Sequence, residues 1–313
     1  MHTVSTTRSG PPRGVGEPDT ERIPPARSFQ RAFDDLRDGL AMRELWSHLG
    51  WQDIKQRYRR SVLGPLWITA SMAITAVALG LLYSQLFGAE IGTFLPYITV
   101  GLILWHFIMG CLQEGANTFI DNDDMIKHMP APLMVYALRT VWRLTIMFAH
   151  NLIVYAAILA AFFPWLREPG YTIIENGIPQ IGLGWWSLMA VPAFGALVLN
   201  GVWVVLLFGI CSTRFRDIPQ VITAISSLLF FLTPIVWSID ILIARFGEAG
   251  AGWREFLYEF NPLYHFIEII RAPMLGHTQS LHHWYVVGAI TAIGWLLTVM
   301  IMRNYRARVS YWV

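Results

Sequence analysis

Residues 62–87 run for 26 positions without one charged side chain. Coiled as an α-helix, that run is about 39 Å long, against about 30 Å for the hydrocarbon core of a bilayer. Five further apolar runs follow, at 93–113, 144–166, 187–211, 218–239 and 285–302. Lipid is the solvent in which such helices need no cover, so the expected fold is an all-α polytopic membrane protein with six transmembrane helices.

The charges sit where that reading needs them. Of the chain's 44 charged residues, 19 fall in residues 1–60, which leaves 25 for the other 253 positions. So few charges cannot cover a surface facing water. The net charge of +2 is too mild to imply a nucleic-acid partner. Residues 1–42 are rich in Pro, Arg, Ser, Thr and Gly, hold no apolar run of signal-peptide length, and read as a disordered cytoplasmic tail. With the N-terminus inside, the inner segments carry thirteen Lys or Arg and the outer ones four, so both termini are expected in the cytoplasm. Cys111 and Cys211, the only cysteines, lie in apolar runs, which excludes a disulfide framework and a zinc site.

Three polar segments interrupt the apolar pattern. Residues 43–60 read as an amphipathic helix on the inner membrane surface: Trp51, Ile54 and Tyr58 share one face, and most of the basic side chains lie elsewhere. Trp46 and its neighbours fall on a different arc, as a kink or a second face for a partner would place them. The inner segment 116–133 holds Asp121, Asp123 and Asp124, then Met125, Lys127 and His128, and stops at Pro130 and Pro132. Acid at its start and Pro at its end suit a short helix that docks in another protein's groove; a plain connecting loop is the other reading. Residues 240–283 contain two apolar stretches too short to cross, 256–260 and 263–270, which read as two re-entrant helices or as helices lying flat.

The chain carries no motor. A phosphate-binding loop needs Gly before a Lys, and neither Lys55 nor Lys127 has it. His106 and His150 within the spans read as satisfied buried histidines more readily than as proton relays. Outer carboxylates and histidines, among them Glu259, Glu268, His265 and His283, leave open a membrane glycosyltransferase or ligase, although their spacing matches no particular reaction.

Three local sequences then agree with one family. Arg57-Tyr58-Arg59-Arg60-Ser61-Val62-Leu63-Gly64-Pro65-Leu66-Trp67 at the first span, Phe215-Arg216-Asp217-Ile218-Pro219-Gln220 with Phe230-Phe231-Leu232-Thr233-Pro234-Ile235 at the fifth, and Asn261-Pro262-Leu263 with Glu268, Arg271 and Gly276 resemble the membrane subunits of type 2 ABC exporters for polysaccharides and polyol phosphates, the Wzm and TagG kind. The resemblance covers residues 43–313. It departs at Met129, where an aromatic often precedes the Pro of the inner loop, and in a longer N-terminal tail.

The resemblance implies a homodimer paired with two copies of a separate ATPase subunit, which binds ATP and Mg while this chain holds no cofactor. It makes 43–60 the interface helix and Asp121, Asp123, Asp124, Met125, Lys127 and His128 the coupling residues seated on that ATPase. The implied cargo is a glycan on a polyprenyl diphosphate lipid, such as an O-antigen or a cell-wall galactan; a teichoic acid or capsular glycan on the same architecture is the alternative. The 21 Arg against 2 Lys point to a GC-rich genome and tilt that choice toward galactan. Arg57, Arg59 and Arg60 are expected either to receive the diphosphate headgroup or simply to anchor the inner surface. Tyr83, Phe230, Phe231, Trp237, Tyr264 and Phe266 are expected to offer ring faces to a sliding sugar chain, with lipid contact or packing as the competing reading.

Overall fold

The computed structural model describes residues 27–59, 64, 66–129, 131–173, 179–238, 252, 259–277 and 279–313. Among them every helix or strand element is helical: α1 (Phe29–Ala41), α2 (Arg43–Arg57), α3 (Leu66–Phe87), α4 (Ile91–Asn117), α5 (Asp123–His128), α6 (Leu133–Arg167), a 3₁₀ turn (Trp185–Met189), α7 (Ala190–Arg214), α8 (Ile218–Leu232), α9 (Pro262–Leu275) and α10 (Leu281–Trp312). Five helices are long and apolar enough to cross a membrane: Leu66–Phe87, Ile91–Asn117, Leu133–Arg167, Trp185–Arg214 and Leu281–Trp312.

α4 is the axis of the bundle. Its apolar window is 83% buried, against 17% for α3, because α3, α6, α7, α8 and α9 all pack around it. Small residues make the close crossings possible. A side chain at Gly110 would meet Leu144 on α6, and one at Gly115 would meet Val205 on α7. α3 stays open on its other faces, with Ile74, Leu81, Leu82 and Leu86 exposed.

Four expectations shift. Residues 29–41 of the expected tail form a helix: Ser28 caps it, and Ala32, Asp35 and Gly39 face inward at helical spacing. The composition hid this because Asp35 is buried for a tertiary reason. Its carboxylate accepts the Leu133 and Met134 N–H groups at 3.1 Å each, capping α6, and it pairs with Arg306 of α10. The third span begins at Leu133 rather than 144, since its polar first turns are satisfied by neighbours, and it kinks at Phe162, two residues before Pro164.

The fifth helix ends at Leu232, before Thr233 and Pro234, so its 15 residues reach about 22 Å and fall short of a full crossing. The stretch 263–270 is part of one longer helix that contains Pro273 and ends at Gly276, whose φ of 76° suits glycine. Most of the companion stretch 256–260 lies outside the described residues, as do residues 1–26 of the tail and Arg60.

On α2, Ile54 is buried while Trp51 is exposed beneath Lys55, so the expected apolar face divides. Trp46, on the different arc, packs edge-on against Trp142 of this chain's own α6.

Candidate functional site: two cavities joined by an ion network

A cavity of about 650 Å³ opens between α3, α4, α6 and α8. Its walls are mostly apolar, with Thr75, Gln113, Asn151 and Ser226 as polar relief. Phe230 and Phe231 line it, and Trp105 packs edge-on to Phe230 at 5.6 Å. His106 also faces it rather than lying buried, its Nδ1 bonded to the Leu102 carbonyl at 2.8 Å; His150 makes the same bond to Ile146.

The other expected aromatics are dispersed. Tyr83 stacks on Phe87 outside the cavity lining. Trp237 donates its indole N–H to the Phe231 carbonyl and accepts the Tyr97 hydroxyl on its own carbonyl. Tyr264 and Phe266 are buried on α9. Near them Arg271 is 1% exposed: it donates to Glu268 at 2.7 Å and to the Pro234 carbonyl at 2.6 Å, and lies 4.1 Å over the Tyr97 ring.

A second cavity of about 360 Å³ lies at the end of the bundle that carries α2 and α5, and Gln113 and Glu114 line both. Here the charges interlock. Asp53 of α2 accepts two hydrogen bonds from Arg139, at 2.6 and 2.8 Å, and one from Arg143 at 2.8 Å. These arginines stand one turn apart on α6, so both reach a single carboxylate. Arg143 also donates to Glu114 at 2.7 Å, and Arg139 to the side-chain oxygen of Asn122, the residue before α5, at 2.9 Å. Burial alone raises the Asp53 carboxyl, but hydrogen bonds and charge from the two arginines outweigh it and hold the group below its ordinary value.

The acidic segment forms α5, anchored by the buried Ile126. Asp123, in its first turn, accepts the Asp124 N–H and pairs with Lys127 at 3.2 Å, which lowers its carboxyl; His128 bonds to the Asp124 carbonyl. Burial raises the Asp121 carboxyl, which lines the second cavity. Met125 is half-buried beside Arg139. Of the basic set, Arg57 lines the second cavity, 3.6 Å from Glu114, and Arg59 is exposed beyond the end of α2.

Asp53, Arg139 and Asn122 were absent from the expected site. The one local signal was the i, i+4 pair Arg139 and Arg143 at the head of an apolar helix; their partner stands 86 residues away.

The ABC-2 type transporter family model matches residues 44–275. Two O-antigen export system permease proteins RfbA of Klebsiella pneumoniae are 24% and 23% identical over 249 residues, covering 80% of this chain and 86% of theirs. A protein of the same description from Myxococcus xanthus is 22% identical over 206 residues, covering 64% of this chain and 72% of its own.

Proposed function

The chain belongs to the ABC-2 type transporter family, and from that premise we propose that it is the membrane-spanning subunit of an ATP-driven exporter carrying a polyprenyl diphosphate-linked polysaccharide from the cytoplasmic to the outer side. It is a multi-pass integral protein of the bacterial inner membrane, and as an ABC-2 permease it works with an ATPase partner. ATP and Mg bind on that partner. The cargo reading rests on relatives described as O-antigen export permeases; a cell-wall galactan fits the same chemistry.

The observation that carries the transport reading is the cavity of about 650 Å³ beside α4. Phe230 and Phe231 offer it ring faces, and among the described residues Glu114 is the one charged side chain in its wall. Few fixed charges leave a largely neutral glycan free to slide, while aromatic faces give it weak, repeated contacts.

In this reading α3 and α8 face a second copy of the chain, and the homodimer seats two ATPase subunits. Residues 43–313 form the transporter domain. Six crossings leave both termini in the cytoplasm, with the fifth completed beyond α8, and α9 belongs to a re-entrant element on the outer side. α2 is the interface helix, and α5 with Asp121, Asp123, Asp124, Met125, Lys127 and His128 is the coupling segment. Arg57, with Arg59 and Arg60, meets the diphosphate headgroup. Phe230 and Phe231 carry the aromatic path, while Tyr83, Trp237, Tyr264 and Phe266 stand outside the cavity wall.

The test is co-expression with an ABC ATPase subunit of the same organism, in a strain lacking both. Co-purification of the two, with surface glycan restored only when both are present, is the expected result. A chain that forms no complex, or that restores glycan without the ATPase, would overturn the reading.

A further inference from the structure

We propose that Asp53 is a positioning residue through which movement of α5 reaches the wall of the transport cavity, by way of an ion pair that changes partners. The inference deepens the transport reading and rests on it. α2 packs on the first turns of α6, where Met125 of α5 reaches Arg139, and Asp53 is held there by two arginines at once. α2 therefore cannot slide along α6 without loosening both. Each arginine also reaches another element: Arg139 grips Asn122 before α5 and touches the Met125 sulfur on it, and Arg143 grips Glu114 of α4.

The path continues into the membrane. Gln113, beside Glu114, donates to the Ser226 hydroxyl of α8 at 2.9 Å, and Ser226 lines the larger cavity. A polar chain thus runs from the head of α5 to the α8 wall through three helices.

Glu114 has two cationic neighbours to choose between. Arg143 holds one oxygen at 2.7 Å, and Arg57 of α2 stands 3.6 Å from the other. The Arg57 side chain is 45% exposed and, among the described residues, otherwise held only by a long contact to the Met147 sulfur at 3.8 Å, whereas that of Arg143 is 17% exposed and fixed by Asp53. A shift of α2 that loosens Asp53 releases Arg143 and brings Arg57 onto Glu114, and the α4–α8 contact moves with it. Glu114 already touches both cations, and passing from Arg143 to Arg57 as its stronger partner would supply the two-state element that transmission of motion requires.

The experiment uses the assembled complex of this chain with its ATPase. Asp53→Asn should lower glycan export per ATP hydrolysed about tenfold, inside the range known for residues on a coupling path, while hydrolysis itself changes little. The exchanged pair Asp53→Arg with Arg139→Asp should recover part of that ratio without a matching recovery of melting temperature, a split that a merely structural role does not explain.

Asn122→Ala keeps every ion pair and should lower the ratio less; it carries the test if Asp53→Asn fails to assemble. A cargo-independent readout is hydrogen exchange of residues 218–226 on adding Mg and a non-hydrolysable ATP analogue. The wild type should change and both single variants should respond less. An unchanged export ratio, or full nucleotide-dependent exchange in the variants, overturns the role of Asp53. A wild-type complex that responds to nucleotide but exports no glycan defeats the cargo reading alone.

Discussion

The two ends of the bundle use arginine differently. Arg271 is 1% exposed, and its carboxylate partner stands three residues earlier on the same helix, with a carbonyl and an aromatic face filling the remaining sides. Arg139 and Arg143 have side chains 15% and 17% exposed, and their partners come from α2, from α4 and from the turn before α5. The first arrangement is a lock within one locality. The second ties together elements far apart in the chain, and Arg57 of α2 adds a second cation at Glu114. Burial and the sequence distance of partners, more than the number of ion pairs, separate an anchor from a relay.

That contrast can be broken from either side. The largest effect is expected at Arg271→Ala, which leaves Glu268 buried without its cation and the Pro234 carbonyl without its donor. Loss of a buried partner costs about 3–5 kcal/mol, so folded yield in detergent should collapse, and Arg271→Lys should not restore it because a compact ammonium lacks the planar fork that spans both acceptors and lies over the Tyr97 ring.

Next is Asp35→Ala, which removes the cap of α6 and the Arg306 pair. A loss of about 2 kcal/mol is expected, read as earlier thermal unfolding, with α1 becoming sensitive to protease.

Asp53→Asn should cost less stability, about 1–2 kcal/mol, because the site is partly solvated and the amide keeps one acceptor. A variant that melts nearly normally yet exports poorly sharpens the division between lock and relay; one that fails to fold like Arg271→Ala would erase it. Reversing Asp121, Asp123 and Asp124 to Lys should leave membrane insertion intact and abolish export, since these side chains lie outside the packed core. Normal export in that variant would remove α5 from the coupling path.

The smallest effect is acid sensitivity. The folded Asp53 carboxyl sits below its ordinary value of 3.8, so its contribution is complete above that value and is lost as pH falls through the lower folded value. Melting temperature measured from pH 6 down to pH 3 should fall more steeply in the wild type than in Asp53→Asn.

Much of the architecture was legible in the residues. The apolar runs at 62–87, 93–113 and 187–211 lie close to α3, α4 and α7, because hydropathy is a local property and a helix satisfies its own backbone in lipid. The short helix after Asp121 was legible too, from acid at its start and Pro beyond its end. The head of α6 was not. Residues 133–143 look like loop when counted for charge, and they are helical because Asp35, Asp53 and Glu114 supply partners from three other helices. α1 was misjudged for the same reason: its buried face contains an aspartate that makes sense only beside the start of α6 and Arg306.

By itself, then, the sequence determined that this chain lives in a membrane, has no glycine before either of its two lysines, and presents basic and acidic segments at the ends of its spans. Each follows from composition and spacing within about 20 residues, the range over which helix length and hydropathy act. Only the tertiary structure decided which helix is the axis, that Phe230 and Phe231 line a cavity while Tyr264 and Phe266 are packed away, and that Asp53 joins Arg139 and Arg143. Such contacts depend on how helices cross. Crossings are set by the fit of small and large side chains between partners far apart in the chain, which no local pattern encodes.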